Sequence, residues 1–75
     1  MEGLDLQDEF HRLFDEAKYE EAKQIALRML NHDHLNAHYW YLNGSCLFEL
    51  HHYDSAADAF INCWKCKYTY HSERP

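Results

Sequence analysis

The first half of the chain places apolar side chains at the spacing of two amphipathic helices. One predicted helix runs from Glu2 to about Ala17, and a second follows the short connection at Lys18 and runs from Tyr19 to about His32. Their apolar positions are Leu6, Phe10, Leu13, Phe14 and Ala17 in the first helix, and Ala22, Ile25, Ala26, Met29 and Leu30 in the second. Spacings of three and four put each set on one face, which indicates two helices that share a core.

The second half predicts two more helices. The third ends at about Leu50, the pair His51-His52 turns the chain, and the fourth runs from Tyr53 or Asp54 to about Tyr68, followed by a tail. The predicted inner side of the fourth helix consists of Ala56, Ala57, Phe60, Cys63, Trp64 and Lys67. The only proline is the last residue, so no proline interrupts a helix.

Two residues are predicted to cap helices. Asp5 suits the start of the first helix, and Asn36 ends the loop 31–36 and suits the start of the third. Leu35 and Trp40 flank that second cap at the spacing of a hydrophobic staple.

The second half of the chain repeats the first at a fixed sequence offset of 34. The identical pairs are Leu13 and Leu47, Phe14 and Phe48, Tyr19 and Tyr53, and Ala22 and Ala56. A period of 34 with a helix–turn–helix pattern is typical of tetratricopeptide repeats. The second copy resembles that family most, because Trp40, Gly44, Leu47, Tyr53, Ala56 and Phe60 stand where the family places Trp, Gly, Tyr, Tyr, Ala and Phe or Tyr.

This resemblance implies one all-α domain over residues 1–75. It would hold repeats at about 3–36 and 37–70 and a tail at 71–75, with four antiparallel helices in a short right-handed superhelical array. In this family the first helix of each repeat lines a concave groove that binds a peptide or partner chain. The residues that the resemblance places in the groove are Leu4, Gln7, His11, Phe14, Asp15, His38, Tyr41, Ser45, Phe48 and Glu49.

The groove residues favour one kind of ligand. They mix aromatic, His and acidic side chains and lack the Lys and Asn pattern with which some family members hold the C-terminal carboxylate of heat-shock chaperones. We therefore expect a peptide with apolar anchors and basic residues. The alternative is that Phe14 and Phe48 pack together as core.

The first copy departs from the family by a reciprocal exchange. Phe10 stands where the second copy has Gly44, and Ala26 stands where it has Phe60. We expect this exchange to conserve the packed volume of the first repeat. Other departures are Glu9 and Asn43 in place of the usual Leu, and Ala17-Lys18 and His51-His52 in place of the usual glycine-containing turns.

The predicted fourth helix ends the array with an apolar side. Two repeats are fewer than the minimum of about three that bury each other's faces. Unless Trp64 folds back on the body, we expect self-association or a permanent protein partner here. The residues predicted for this interface are Phe60, Cys63, Trp64, Lys67 and Tyr68.

Composition narrows the classes of partner and compartment. The net charge of −6 argues against nucleic acid and against an anionic membrane as ligands. No apolar run reaches the roughly 18 residues of a membrane span, and the acidic N-terminus lacks the features of a signal peptide. Three cysteines without a disulfide-like spacing favour a reducing, cytoplasmic setting.

Two alternatives to a peptide-binding module remain. One alternative, suggested by seven His and three Cys, is a small domain stabilised by a metal ion. A zinc site needs two converging pairs of ligands, however, and only Cys63 and Cys66 are suitably spaced on one helix. The other is an acidic inhibitor of a basic surface, since residues 1–21 hold eight acidic residues against Arg12 and Lys18. We expect no bound metal or cofactor, and no enzyme activity.

Overall fold

The computed structural model describes residues 2–72, and the side chains of residues 6–68. Its helices are α1 (Glu2–Asp15), α2 (Tyr19–His32), α3 (Ala37–Glu49) and α4 (Tyr53–Ser72). The described range contains no β-strand, so the predicted all-α class is confirmed. No helix in that range combines the length and the apolar character needed to cross a bilayer.

Helix bounds differ from the prediction at two ends. α1 stops at Asp15, two residues before the predicted end, because Ala17 takes a positive φ of 63° that a right-handed helix does not allow. α4 continues to Ser72, past the predicted end at Tyr68. The prediction of a tail directly after Tyr68 was therefore wrong for residues 69–72, which contain neither Gly nor Pro to stop the helix. Residues 73–75 lie outside the described range.

One predicted cap is confirmed and one is wrong. The Asn36 side-chain oxygen accepts hydrogen bonds from the backbone N–H of His38 at 2.9 Å and of Tyr39 at 3.4 Å. Asp5 lies inside the first turns of α1, because that helix already begins at Glu2.

A hydrogen bond holds Trp40 beside the Asn36 cap, and the staple of Leu35 and Trp40 stays a prediction. The Leu35 side chain is 43% exposed. The indole N–H of Trp40 donates a hydrogen bond to the backbone carbonyl of His34 at 2.8 Å. A polar bond therefore ties α3 to the loop before it.

The turn between α1 and α2 closes with a paired hydrogen-bond pattern. The N–H of Ala17 donates to the carbonyl of Phe14 at 3.0 Å, and the N–H of Lys18 donates to the carbonyl of Leu13 at 2.9 Å. This is the Schellman arrangement, in which the left-handed residue is usually Gly. The ring of Tyr19, the first residue of α2, packs edge-on against Phe14 at 5.0 Å.

The turn between α3 and α4 repeats this pattern one period later. His51, with φ of 67°, donates to the carbonyl of Phe48 at 3.0 Å, and His52 donates to that of Leu47 at 2.9 Å. The ring of Tyr53 packs edge-on against Phe48 at 5.4 Å. All four sequence identities of the repeat thus lie at or next to these turns, three of them among the contacting residues.

The helices pack in chain order, α1 on α2, α2 on α3 and α3 on α4. The main buried cluster joins the first three helices and consists of Leu6, Phe10, Leu13, Ala22, Ile25, Ala26, Met29, Leu42 and Cys46. A smaller cluster joins α3 to α4 through Leu47, Ala56 and Ala59, with Trp40 packed against it. The predicted inner faces of α1 and α2 are buried except Phe14, which is half-buried, and Ala17, which lies exposed in the turn.

The predicted inner side of α4 was right for Ala56 and wrong for four other residues. Its buried residues are Ala56, Ala59 and Cys66. Cys63 is half-buried, and the other predicted inner residues, Ala57, Phe60, Trp64 and Lys67, are exposed. Small side chains on the inner face allow α4 to lie close to α3, and the bulky side chains therefore turn outward.

Candidate partner-binding surface

Aromatic side chains from three helices converge on one open cleft. The cleft has a volume of about 420 Å³ and is lined by Phe14, Tyr41, Ser45, Phe48, Glu49 and Phe60. Tyr41 is 52% exposed, Phe48 54% and Phe60 36%. We call Phe14, Tyr41, Phe48 and Phe60 the aromatic cleft. The full lining unites five of the ten predicted groove residues with Phe60, which the sequence analysis had assigned to the interface on the fourth helix.

Phe14 and Phe48 occupy equivalent positions in the two hairpins but differ in burial. Phe14 is half-buried and stacks on the core residue Phe10 at 5.6 Å, so it belongs to the core and the cleft together. Phe48 is more than half exposed. The alternative that both rings pack as core therefore fails for Phe48.

Gly44 brings Phe60 to the cleft. A Cβ atom at residue 44 would lie 2.6 Å from Cε1 and 2.8 Å from Cδ1 of the Phe60 ring. These distances are shorter than van der Waals contact, so the ring lies directly against the α3 backbone. There it is 6.1 Å from the ring of Tyr41, centre to centre. Any larger side chain at residue 44 would move this wall of the cleft.

None of the other predicted groove residues whose side chains are described lines the cleft. His38 stacks on Tyr41 at 6.4 Å and so borders it. His11 is exposed on α1 with its ring edge-on to a core ring, and Gln7 is half-buried further along α1. Leu4 lies in α1, but its side chain is outside the described residues.

The outward side of α4 carries a second apolar surface. Ala57, Ile61, Trp64 and Tyr68 are all exposed there, and we call them the α4 outer face. Trp64 is 60% exposed and packs against the ring of Tyr68 at 5.4 Å, so Trp64 does not fold back on the body. The ammonium nitrogen of Lys67 lies 5.8 Å from the centre of the Tyr68 ring.

Ile61, which the predicted interface did not include, is 50% exposed at the centre of this face. The signal for Ile61 is in the sequence. Ala57, Ile61, Trp64 and Tyr68 follow each other at spacings of four, three and four, the spacing of apolar residues in a coiled coil.

The cysteines are free thiols, and two of them are buried. Burial raises the pKa of Cys46 from 9.0 to about 12, against the opposing attraction of Lys23. Burial also raises the pKa of Cys66, whose thiol donates to the carbonyl of His34 at 3.9 Å. Both thiols therefore stay protonated and unreactive near neutral pH. Among the described residues, no group of three or more His, Cys, Asp or Glu side chains is placed to hold a metal ion.

Cations lie among the acidic residues of the first half. Arg12 contacts Glu9 at 3.8 Å and Glu16 at 3.7 Å, and Lys18 contacts Glu16 at 3.3 Å. All of these side chains are exposed, so each pair stabilises the fold by less than about 1 kcal/mol. The pairs offset part of the negative charge and make this surface an ordinary solvated one.

Comparison with known proteins adds no relative. No protein-family model, no curated protein and no solved structure matches the chain. Functional inference therefore rests on the chain's own residues, above all on the exposed aromatic side chains of the cleft.

Proposed function

We propose that the chain is a tetratricopeptide-like interaction module that binds a peptide segment of another protein in the aromatic cleft. The observation that carries this proposal is the convergence of Tyr41, Phe48 and Phe60, each more than a third exposed, on one concave surface. Exposed apolar patches mark interaction sites, and aromatic residues supply much of the binding energy there. In this role the protein acts as an adaptor, an assembly subunit or a small chaperone in the cytoplasm.

The repeated turns support the choice of family. Hydrogen bonds and ring contacts recur one period apart, from Phe14 and Tyr19 to Phe48 and Tyr53. The four helices also pack consecutively, as stacked helical hairpins do. A repeating unit with this length and these properties is the architecture that the sequence resemblance implies.

The lining of the cleft suggests the chemistry of the ligand. Its volume of about 420 Å³ accommodates one or two large side chains. Glu49 lies at the cleft, so a Lys or Arg beside the apolar anchor of the ligand would find an opposite charge. Ser45 and Tyr41 offer hydroxyl groups to the backbone of a bound peptide. We therefore propose an apolar anchor flanked by a basic residue.

Selection from a random peptide display library tests the proposal. A selected peptide carrying a fluorophore is titrated with the protein, and binding is followed by fluorescence anisotropy. Tyr41→Ala and Phe48→Ala should each raise Kd by about tenfold or more, as truncation of an interface aromatic does. Leu27→Ala is the matched control, because Leu27 is 44% exposed on α2 and does not line the cleft.

Three outcomes would reject the cleft as the site. One is that no peptide is selected, another is that the aromatic variants bind as the wild type does, and the third is that Leu27→Ala weakens binding equally.

The salt dependence of binding distinguishes this proposal from the alternative of an acidic inhibitor. Binding through apolar anchors should change by less than about tenfold between low and high salt, whereas binding through the acidic surface should weaken steeply.

A further inference from the structure

The sequence offset of 34 makes α4 the equivalent of α2, but equivalent residues of the two helices differ in exposure. Met29 and Leu30 of α2 are 1% and 7% exposed, and α3 packs on that helix. The equivalent residues one period later are Cys63, which is half-buried, and Trp64, which is 60% exposed. Equivalent positions thus differ because no helix in the described range packs on α4 as α3 packs on α2. The α4 outer face has the character of a surface that receives a helix.

The first helix of a second copy does not suit this surface. In α3, Leu42 and Cys46 belong to the buried cluster shared with α2. Their equivalents in α1, one period earlier, are Asp8 and Arg12, which are both exposed. Head-to-tail stacking of copies would therefore place these charges on Trp64, at a desolvation cost that the contact does not offset.

A second α4 suits it better. Ala57, Ile61, Trp64 and Tyr68 have the spacing of a coiled-coil seam. When two such helices run antiparallel about a two-fold axis between residues 62 and 63, Ala57 faces the partner's Tyr68, and Ile61 faces the partner's Trp64. Small side chains then oppose large ones, and the seam fills evenly.

Charges beside the seam also favour the antiparallel direction. Asp58 and Lys65 are seven residues apart and exposed, so they lie on the same flank of α4. In the antiparallel pair, Asp58 approaches the partner's Lys65, and the two-fold axis repeats this contact. In a parallel pair, Asp58 and Lys65 would instead lie beside the partner's Tyr53 and Phe60, and neither would meet an opposite charge. Flanking charges of this kind set orientation in coiled coils.

We propose that the α4 outer face binds the same face of a second copy of this chain, as a two-fold antiparallel pair of α4 helices. The proposal rests on the proposed role in protein interaction and names one partner for this second surface. At the observed exposures the four side chains present roughly 350 Å². That is less than half of the ~800 Å² that each partner buries in a standard interface, so we expect a weak dimer with Kd on the order of micromolar.

Sedimentation velocity from about 1 to 500 µM tests the pairing, a range that brackets a micromolar Kd. Asp58→Lys alone and Lys65→Glu alone should each weaken the dimer about tenfold or more, because each sets like charges against each other. An equimolar mixture of these two variants should restore association, since both ion pairs of the mixed dimer again join opposite charges. Asp8→Lys and Lys18→Glu make the same charge changes elsewhere and should leave the dimer unchanged.

Three results would overturn the pairing. These are a wild-type chain that stays monomeric throughout, association that neither single charge variant weakens, and a mixture that stays as monomeric as its two components. Circular dichroism checks that each variant keeps its helices.

Peptide binding separates this inference from the proposed function, since Asp58 and Lys65 do not line the cleft. A wild-type chain that binds the peptide but stays monomeric rejects the pairing alone. A wild-type chain that dimerises but binds no peptide rejects the cleft alone.

Discussion

The two halves of the molecule differ in which of their two helices contributes the large aromatic ring and which the small residue. In the first half the large ring, Phe10, comes from α1 and is 2% exposed, while Ala26 of α2 is fully buried in the same cluster. In the second half α3 contributes Gly44, and the large ring, Phe60, comes from α4 and is 36% exposed. Both pairs combine one small and one large residue at equivalent positions, but the large ring is on the first helix of the first half and on the second helix of the second half.

This exchange decides whether an aromatic ring belongs to the core or to a binding surface. A ring on α1 points into the cluster that α1 shares with α2 and α3, and there it supports the fold. A ring on α4 lies over the backbone of Gly44 and forms part of the wall of the aromatic cleft. We infer that the first half is specialised for stability and the second half for binding.

Phe10→Gly should have the largest effect on this comparison. It removes a fully buried ring and introduces Gly into a helix, at a cost of about 4 kcal/mol. A chain of this size rarely has more than about 3–5 kcal/mol of stability, so the variant should be mostly unfolded by circular dichroism. Phe10→Leu should cost only about 1–2 kcal/mol in urea unfolding. A loss below about 1 kcal/mol for Phe10→Gly would contradict a core role for the ring.

Gly44→Phe should destabilise the second half by about 3 kcal/mol, because the new ring would occupy the space of Phe60. Adding Phe60→Ala recreates the arrangement of Phe10 and Ala26 and should recover at least half of that loss. A double-mutant cycle from urea unfolding measures this coupling. A double variant no more stable than Gly44→Phe would show that the exchange is not reciprocal.

Cys46 should make stability depend on alkaline pH. Its counterpart in α1 is the exposed Arg12, whereas Cys46 is fully buried with a pKa raised from 9.0 to about 12. The unfolded thiol loses its proton near pH 9 and the folded one does not. This contribution to stability is therefore full below pH 9 and is lost progressively as the pH rises from 9 towards 12. Urea unfolding of Cys46→Ala should show a smaller loss of stability over this range, with the contribution of Cys66 remaining, and equal losses in both proteins would refute the role of Cys46.

Asn43→Leu should stabilise the protein by about 1–2 kcal/mol. The side-chain oxygen of Asn43 is buried and has no hydrogen-bond partner among the described residues, so an apolar side chain of similar size removes a desolvation cost. The equivalent residue of the first half is Glu9, which is exposed beside Arg12. Glu9→Leu is the control and should change thermal stability little. A lower melting temperature for Asn43→Leu would mean that the amide has a structural role.

Ala17→Gly should give the smallest effect, a gain of about 0.5–1 kcal/mol. It relieves the left-handed conformation of the first turn, where φ is 63°. His51→Gly relieves the same conformation but loses the contact of His51 Nδ1 with the Tyr53 hydroxyl at 2.7 Å, so its gain should be smaller. Thermal melts of the two variants compare the turns directly. A larger gain for His51→Gly would show that the contact with Tyr53 adds no stability.

The helices could be predicted from local patterns, and five of the six residues that line the cleft from the family resemblance. The apolar spacing predicted α1 and α2 together with their buried faces, and Asn36 predicted the start of α3. The family resemblance predicted Phe14, Tyr41, Ser45, Phe48 and Glu49 in the groove, and these residues line the cleft. It also predicted His11 and Gln7 there, which lie elsewhere on α1. The resemblance assigns a helix face but does not specify how far along that face the cleft extends.

The face of α4 could not be predicted from its sequence. Apolar residues surround much of this helix, so spacing alone allowed more than one buried side. In the structure Ala56 and Ala59 pack with Leu47 and Trp40 of α3, and the Phe60 ring lies over Gly44. This arrangement turns Trp64 outward and leaves Phe60 partly exposed at the cleft. Such an arrangement depends on the shape of α3, which the sequence of α4 does not contain.

The four-helix, all-α architecture and the position of both turns follow from local sequence patterns, because helix periodicity and caps act over a few neighbouring residues. Which aromatic residues are core and which form surfaces depends instead on how the helices pack. Phe10 and Phe60 have the same chemistry, and their burial differs because Phe10 belongs to a cluster of three helices, whereas Phe60 lies on α4 at the open cleft. Burial is a property of the neighbours that packing provides, and a local pattern does not specify them.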